Sequence, residues 1–456
     1  MSMPDTGALD RLLRERQADR LPSVAAAVVH KGEQVWANAV GGANYDEGRD
    51  ATPDTQYRIG SITKTFTATA IMQLREAGQL ALDDRLEQHV DGIANGTPTI
   101  RRMLCHLSGL QREAGDMFVT GESPTEDELV ASMSDVEFVL GPAQAHHYSN
   151  LAFALLGQVV ARKSGLPYTQ YVDERIIQPL GLTRTTWTPR SPHAQGYLVD
   201  EYARTVWKEP ETDLAGTSAA GQLWSTVEDL GRWATFLARG ADEVLDAKTN
   251  EEMWFPQVMY YPHDWILGWG LGLMLYNQEG AIYGGHGGAM AGHLAGVYID
   301  RKTQTGAAAL TNSGTRGDMD TFAISLAAKA KELWPEPIEV WRPEEEPPAD
   351  VRTILGRWWS EGNEFVLWWE GGTLKAKVVG TAPGRGDSCR PAHDAPHGPR
   401  AGGMSCHGLA PGSARRADVP AQRKGPGGRV LKPDGGHQSK QEMDVPHLEL
   451  DQDRRA

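Results

Sequence analysis

No apolar run in the 456 residues approaches the roughly 18 that a membrane-spanning helix needs, so no transmembrane segment is expected. Met1 to Arg20 is polar, helix-prone and scattered with charge. It lacks the order of basic residues, apolar stretch and small-residue cleavage site that marks a secretory leader, and a cytoplasmic location is expected. Cysteine is scarce: only Cys105, Cys389 and Cys406 occur, with no CxxC spacing and no histidines at metal-site intervals. Neither a zinc site nor a disulfide framework is supported, and no metal or cofactor is expected. Positive charge is also short. The formal net charge of -15 argues against a nucleic-acid partner and says little else, since acidity keeps many enzymes soluble.

What is present is the pattern of a globular protein, with 40% hydrophobic residues and room for more than one domain. Leu21 to Asn44 reads as a β-hairpin turning at Lys31-Gly32, its first strand buried on both faces. From Ser61 to Gly78 the period becomes helical: Ile62, Phe66, Ala70 and Leu74 share one face, and Gly78 stands where a helix would stop. LVASMSDVEFVL (129–140) and LAFALLGQVVARKSG (151–165) read as further helices. Gly268–Tyr276, Ala281–Tyr283, His293–Ile299 and Ala307–Thr311 are short apolar runs broken by glycine and asparagine, the mark of consecutive antiparallel strands. Met319–Trp334 reads as a closing helix. Strands at both ends of a helical middle predict an α+β fold, an α/β sandwich whose antiparallel sheet is assembled from both ends of the domain. That domain is expected over residues 1–334.

Pro335 to Asp350 carries five prolines and a glutamate block, a stiff solvated linker. GRWWSEGNEFVLWWEGGTLKAKVV then predicts the opening of a small β domain over 351–380. From Thr381 to Ala456 there is no Phe, Trp, Tyr or Ile, and Gly, Pro, Arg and His crowd in. Such a segment cannot bury enough apolar surface to offset its ordering entropy. A disordered tail or a frameshift of GC-rich DNA would both give this composition, and the abrupt break inside a β domain favours the frameshift.

Three short motifs carry chemistry. Ser61-Ile62-Thr63-Lys64 puts a hydroxyl and an amine one helical turn apart on the same face. A buried lysine near a helix N-terminus loses basicity, which suits it to activate a serine. Free N–H groups of that helix start can face an oxyanion. S-x-x-K also arises by chance as a solvated helix start. Tyr148-Ser149-Asn150 precedes a helix and offers a phenol as proton shuttle; taken alone it reads equally as an N-cap beside a packed aromatic. His286-Gly287-Gly288 gives a strand edge that a substrate can approach, with the Ala289 N–H as a second oxyanion donor; alone it is a glycine-rich hairpin.

Order and spacing convert these signals. TPDTQYRIGSITKTFTA, REAGQLALDD, HLSGL (106–110), YSNLAFALLG, PLGLTRT, AAGQLWSTVEDLGRW and GGHGGAMAGH resemble, in family order, segments of the serine β-lactamase and penicillin-binding-protein superfamily. The likeness is to the class C-like branch, which includes D-aminopeptidases and esterases, and it covers roughly Leu21 to Trp334. It implies acylation of Ser61, shared acid and base duties for Lys64 and Tyr148, and oxyanion N–H groups from Ser61 and Ala289. Asn150 would bind the acyl side of the substrate, and the strand of His286, Gly287 and Gly288 would flank it.

One position departs from the pattern. Dedicated β-lactamases and transpeptidases carry lysine where this chain has His286, so carboxylate recognition and β-lactam hydrolysis are both placed in doubt. A histidine with its ordinary pKa would be mostly neutral at pH 7 and charged below about 6.5. The Trp-rich piece is similar to the start of the lipocalin-like barrel that several such peptidases append. The expected activity is hydrolysis of small amides, D-amino acid peptides or esters through an acyl-enzyme. Acyl transfer would use the same residues, and a non-catalytic binding protein would not need all of them. The substrate is expected to be a small molecule; the sequence leaves the oligomeric state open.

Overall fold

The computed structural model describes residues 4–115, 122–200, 202–261, 263–338, 340–360 and 363–379, with a two-residue strand at Arg415–Arg416. Two compact units divide the chain, Met1–Ile338 and Glu339–Ala456.

In the first unit an antiparallel sheet forms from both ends of the sequence. Its strands are β1 (Ser23–His30), β2 (Glu33–Asn44), β3 (Arg49–Asp50), β4 (Val258–Met259), β5 (Leu267–Trp269), β6 (Met274–Gln278), β7 (Ala281–Met290), β8 (His293–Asp300) and β9 (Thr305–Thr311). They lie in the order β3-β2-β1-β9-β8-β7-β6-β5-β4. The two ends of the domain meet where β1 pairs with β9, from Val24 opposite Thr311 to His30 opposite Thr305. Alternation sends Ala25, Ala27 and Val29 into one apolar cluster and Val24, Ala26 and Val28 into another, so both faces of β1 are covered. The Lys31-Gly32 turn has positive φ at both residues, as a tight two-residue hairpin turn demands.

Helices α1 (Gly7–Ala18) and α5 (Met319–Leu333) cover the second cluster; α2 (Thr63–Glu76), α3 (Asn150–Ser164) and α4 (Val227–Arg239) pack in the first. Small side chains at Ala307, Ala308 and Ala309 let helices close in on both faces of β9. The sequence reading gave α2 one apolar face. Eleven of its fourteen residues are in fact buried, threonines among them, because other elements wrap the helix on all sides. Phe66 stacks on Trp233 of α4, with ring centroids 3.7 Å apart, and Trp233 Nε1 donates to Thr65 Oγ1 at 2.8 Å. A threonine can be buried there because the indole needs an acceptor.

The helix expected over 129–140 is shorter and starts earlier. It runs Glu126–Ala131 and gives way to a tight 3₁₀ turn at Ser132–Ser134. The Ser132 and Ser134 hydroxyls donate to the carbonyls of Leu129 and Ala131, and Gln111 Oε1 captures the Glu137 N–H at 2.7 Å. Local polar bonds and a tertiary partner outcompete the helical ladder. Gly268–Tyr276 is two strands instead of one, and the run begun at Ala281 continues to Met290, which places the whole histidine-glycine motif inside β7.

The second unit has a helix at Ala349–Ile354 and three antiparallel strands, Gly356–Ser360, Asn363–Glu370 and Thr373–Val379. Arg415–Arg416 pairs with Trp358–Trp359. Otherwise the tail read as disordered or frameshifted lies outside the described residues, as do Cys389 and Cys406. No described helix is long and apolar enough to cross a membrane.

Candidate active site

Ser61 sits in a 3₁₀ turn, Gly60–Ile62, that feeds directly into α2, whose start has no side-chain cap. Gly60 adopts φ +50, and a Cβ on it would fall 2.7 Å from the Ala289 nitrogen. Only glycine allows this turn and brings the β7 backbone so near the serine.

Lys64 is fully buried, and its Nζ makes three contacts: Ser61 Oγ at 3.0 Å, Asn150 Oδ1 at 2.7 Å and the Ala220 carbonyl at 2.7 Å. Burial lowers its pKa to about 7; the Glu113 carboxylate opposes that fall and the Arg112 guanidinium adds to it. Glu113 reaches Lys64 through a relay, since Asn150 Nδ2 donates to Glu113 Oε1 at 2.7 Å while Asn150 Oδ1 accepts from the lysine. Burial raises the Glu113 pKa, and its bonds to Asn150 and Arg112 hold it back. Arg112 Nε donates to the same oxygen at 3.1 Å.

Tyr148 precedes α3 and is half-buried. Burial pushes the pKa of its phenol above the ordinary value, and the nearby Ser61 side chain holds it back. The N-cap alternative is also realised: Ser149 Oγ accepts from the Ala152 N–H at 3.0 Å. The cap and the phenol are compatible, because the cap fixes where the helix starts and hence where Tyr148 lies. Beneath the phenol lies His106, buried, stacked at 4.2 Å, its Nδ1 accepting from the Ser149 N–H at 3.1 Å.

His286 is only 2% exposed, and burial, with Lys64 nearby, lowers its pKa to about 3. This corrects the expectation of a charge appearing below about 6.5: the imidazole is neutral throughout the working range. Its Nδ1 lies 2.5 Å from the Gly287 carbonyl. Gly287, Gly288 and Ala289 follow along β7 and, with Ser61, Tyr148, Asn150 and His286, line a cavity of about 930 Å³. All eight residues expected at the site therefore gather in one place. Lys64 reaches it from behind, through Ser61 and Asn150.

Glu113, Trp269 and Asp320 also line this cavity, and none was expected. Glu113 lies in a loop, Trp269 in β5 and Asp320 in the first turn of α5, and none sits in a motif that marks it. In sequence His106 stands out only as part of HLSGL.

A family model described as Beta-lactamase matches residues 9–331. Beta-lactamase-like protein 2 of Dictyostelium discoideum is 29% identical over 293 residues, covering 60% of this chain and 53% of that protein, so the chain spans about half its length. Penicillin-binding protein 4 of Amycolatopsis lactamdurans is 30% identical over 374 residues, 76% of this chain and 95% of that one. Among solved structures, the octameric penicillin-binding protein homologue from Pyrococcus abyssi superposes with a TM-score of 0.64 at 27% identity, covering 83% of this chain and 88% of that chain. A D-stereospecific amidohydrolase from Streptomyces sp. gives 0.61 at 29% identity, over 72% and 98%.

Proposed function

The chain belongs to the beta-lactamase family, and from that membership we propose that it is a serine hydrolase acting on small D-amino acid amides, short D-containing peptides or esters. The single observation that carries the reading is the set of partners around Lys64 Nζ. Two of them, the Asn150 amide oxygen and the Ala220 carbonyl, can only accept. A neutral amine has two hydrogens, which these acceptors take, and one lone pair, which is left for the Ser61 hydroxyl at 3.0 Å. With a pKa of about 7, a sizeable fraction of Lys64 is in that form at neutral pH.

In this reading Lys64 takes the Ser61 proton as Oγ bonds to the substrate carbonyl carbon. The carbonyl oxygen gains the negative charge and is met by the N–H groups of Ser61 and Ala289. The raised pKa of Tyr148 disfavours a phenolate base and suits a relay that passes the proton on to the leaving amine or alcohol. The bond from carbon to the leaving group then breaks, and water repeats the sequence to release the acid. Support for a D-amino amide over a β-lactam comes from the neutral His286, the Glu113 carboxylate in the cavity and the Streptomyces amidohydrolase.

The test is covalent labelling with a fluorophosphonate, with mass mapping of the labelled peptide, alongside turnover of D-alanine p-nitroanilide and nitrocefin. Labelling at Ser61, lost in Ser61→Ala, together with faster turnover of the anilide, is expected. Full labelling of Ser61→Ala overturns the nucleophile, and nitrocefin hydrolysis above every neutral or cationic substrate overturns the substrate class.

A further inference from the structure

The cavity holds a carboxylate that the acylation steps leave unused. Asp320 is the second residue of α5. Across β7 and β8, Gly287 lies opposite Gly296. A Cβ on Gly287 would fall 2.3 Å from Asp320 Oδ1 and 2.6 Å from Oδ2; one on Gly296 would fall 2.4 Å from the Met319 carbonyl oxygen. The facing glycines let the first turn of α5 settle onto the sheet, and the carboxyl group takes the volume that a side chain at position 287 would fill.

At the neighbouring position His286 adds a second acceptor. A carbonyl only accepts, so the 2.5 Å contact to Gly287 puts the ring hydrogen on Nδ1. Nε2 is then a bare lone pair, buried and without a hydrogen-bond partner among the described residues. His286 Nε2 from β7 and the Asp320 carboxylate from α5 thus give the wall of the same cavity two acceptors. A carboxylate on a substrate meets repulsion here, whereas an ammonium group finds a partner.

We propose that Asp320, admitted to the strand by Gly287, is a specificity-determining residue that receives the ammonium group of an amino acid amide or peptide substrate. The proposal rests on the serine hydrolase reading and deepens it. Burial and then Asp318 push the Asp320 pKa up to about 7, and the nearby Tyr298 holds it back. The ionisable groups that feel its charge are Asp318 on its own helix, Tyr298 of β8, Tyr276 of β6 and Tyr148 before α3. None of these is a cation, and the Arg16 guanidinium of α1 is turned to the Asp318 carbonyl, so an arriving ammonium supplies a countercharge that holds the carboxyl ionised.

The experiment compares D-alanine p-nitroanilide with its N-acetyl derivative, which has the same leaving group and no ammonium, on the full-length wild type and Asp320→Asn. Wild type is expected to prefer the free amine. Asp320→Asn should lower the ratio of the two kcat/KM values by about tenfold or more, chiefly through KM of the free amine. Gly287→Ala, whose methyl group must displace the carboxyl, gives an independent readout in the same direction if Asp320→Asn does not fold. A ratio within about twofold of wild type in either folded variant overturns the proposal, as does wild-type preference for the N-acetyl substrate. Absence of both turnover and fluorophosphonate labelling is the separate signature of a failed serine hydrolase reading, and the proposal falls with it.

Discussion

Replacing Glu113 by glutamine removes one negative charge while keeping an oxygen to accept from Asn150 Nδ2. With two 2.7 Å hydrogen bonds and one amide between them, the Lys64 and Glu113 charges lie about 7 Å apart, and at an effective dielectric of about 20 they attract by about 2.4 kcal/mol. The Glu113 side chain is 15% exposed, so some of that attraction is screened; a shift of about one pKa unit is a fair expectation. The sign follows from which form is stabilised. Glu113 favours the ammonium of Lys64, so its loss favours the free amine and lowers the lysine pKa below about 7. The assay is kcat/KM against pH for a neutral p-nitrophenyl ester, whose own charge does not change. At pH 6 a base with a pKa of about 7 is about one-tenth active, and one shifted down by about a unit is about half active. The acid limb of Glu113→Gln should therefore move to lower pH. A limb that stays put, or moves to higher pH, would refute Lys64 as the base that the limb reports.

Three further outcomes are expected. Tyr148→Phe should lower kcat by about a hundredfold or more with little change in KM, since the relay is lost and the ring remains stacked on His106; steady-state kinetics on an ester and an anilide check it, the anilide suffering more because its leaving group needs the proton. Gly60→Ala should cost at least about tenfold in kcat, because a methyl group cannot share the space beside the Ala289 nitrogen and the N–H proposed as oxyanion donor must move; circular dichroism separates this from unfolding. Phe66→Ala should destabilise the first unit by about 3–5 kcal/mol, the cost of a large cavity in a stacked pair with no solvent exposure, read as a lower midpoint in urea; a change under about 1 kcal/mol would contradict the packing described.

Local chemistry fixes much of this protein in advance. The alternation of small and branched apolar residues in β1, the turn at Lys31-Gly32, the stop at Gly78 and the strand rhythm after Leu267 depend on near neighbours, and each is readable along the chain. So is the pairing of Ser61 with Lys64, because three residues on a helix set their separation. The gathering of Tyr148 and His286 around them followed only from the likeness of whole segments to a known family. Tertiary structure decided the rest. Burial on all sides, which no periodicity announces, brings the Lys64 pKa down to about 7 and keeps His286 neutral well below its ordinary pKa. Asn150 joins Lys64 to Glu113 across a sequence separation that leaves no trace in spacing. Asp320 reads in sequence as an acidic residue in the first turn of a helix, a common and solvated thing. It becomes part of the cavity only because two glycines on neighbouring strands leave a space that the helix start can enter. A pKa and a cavity wall are properties of what surrounds a residue, and those surroundings come from distant parts of the chain.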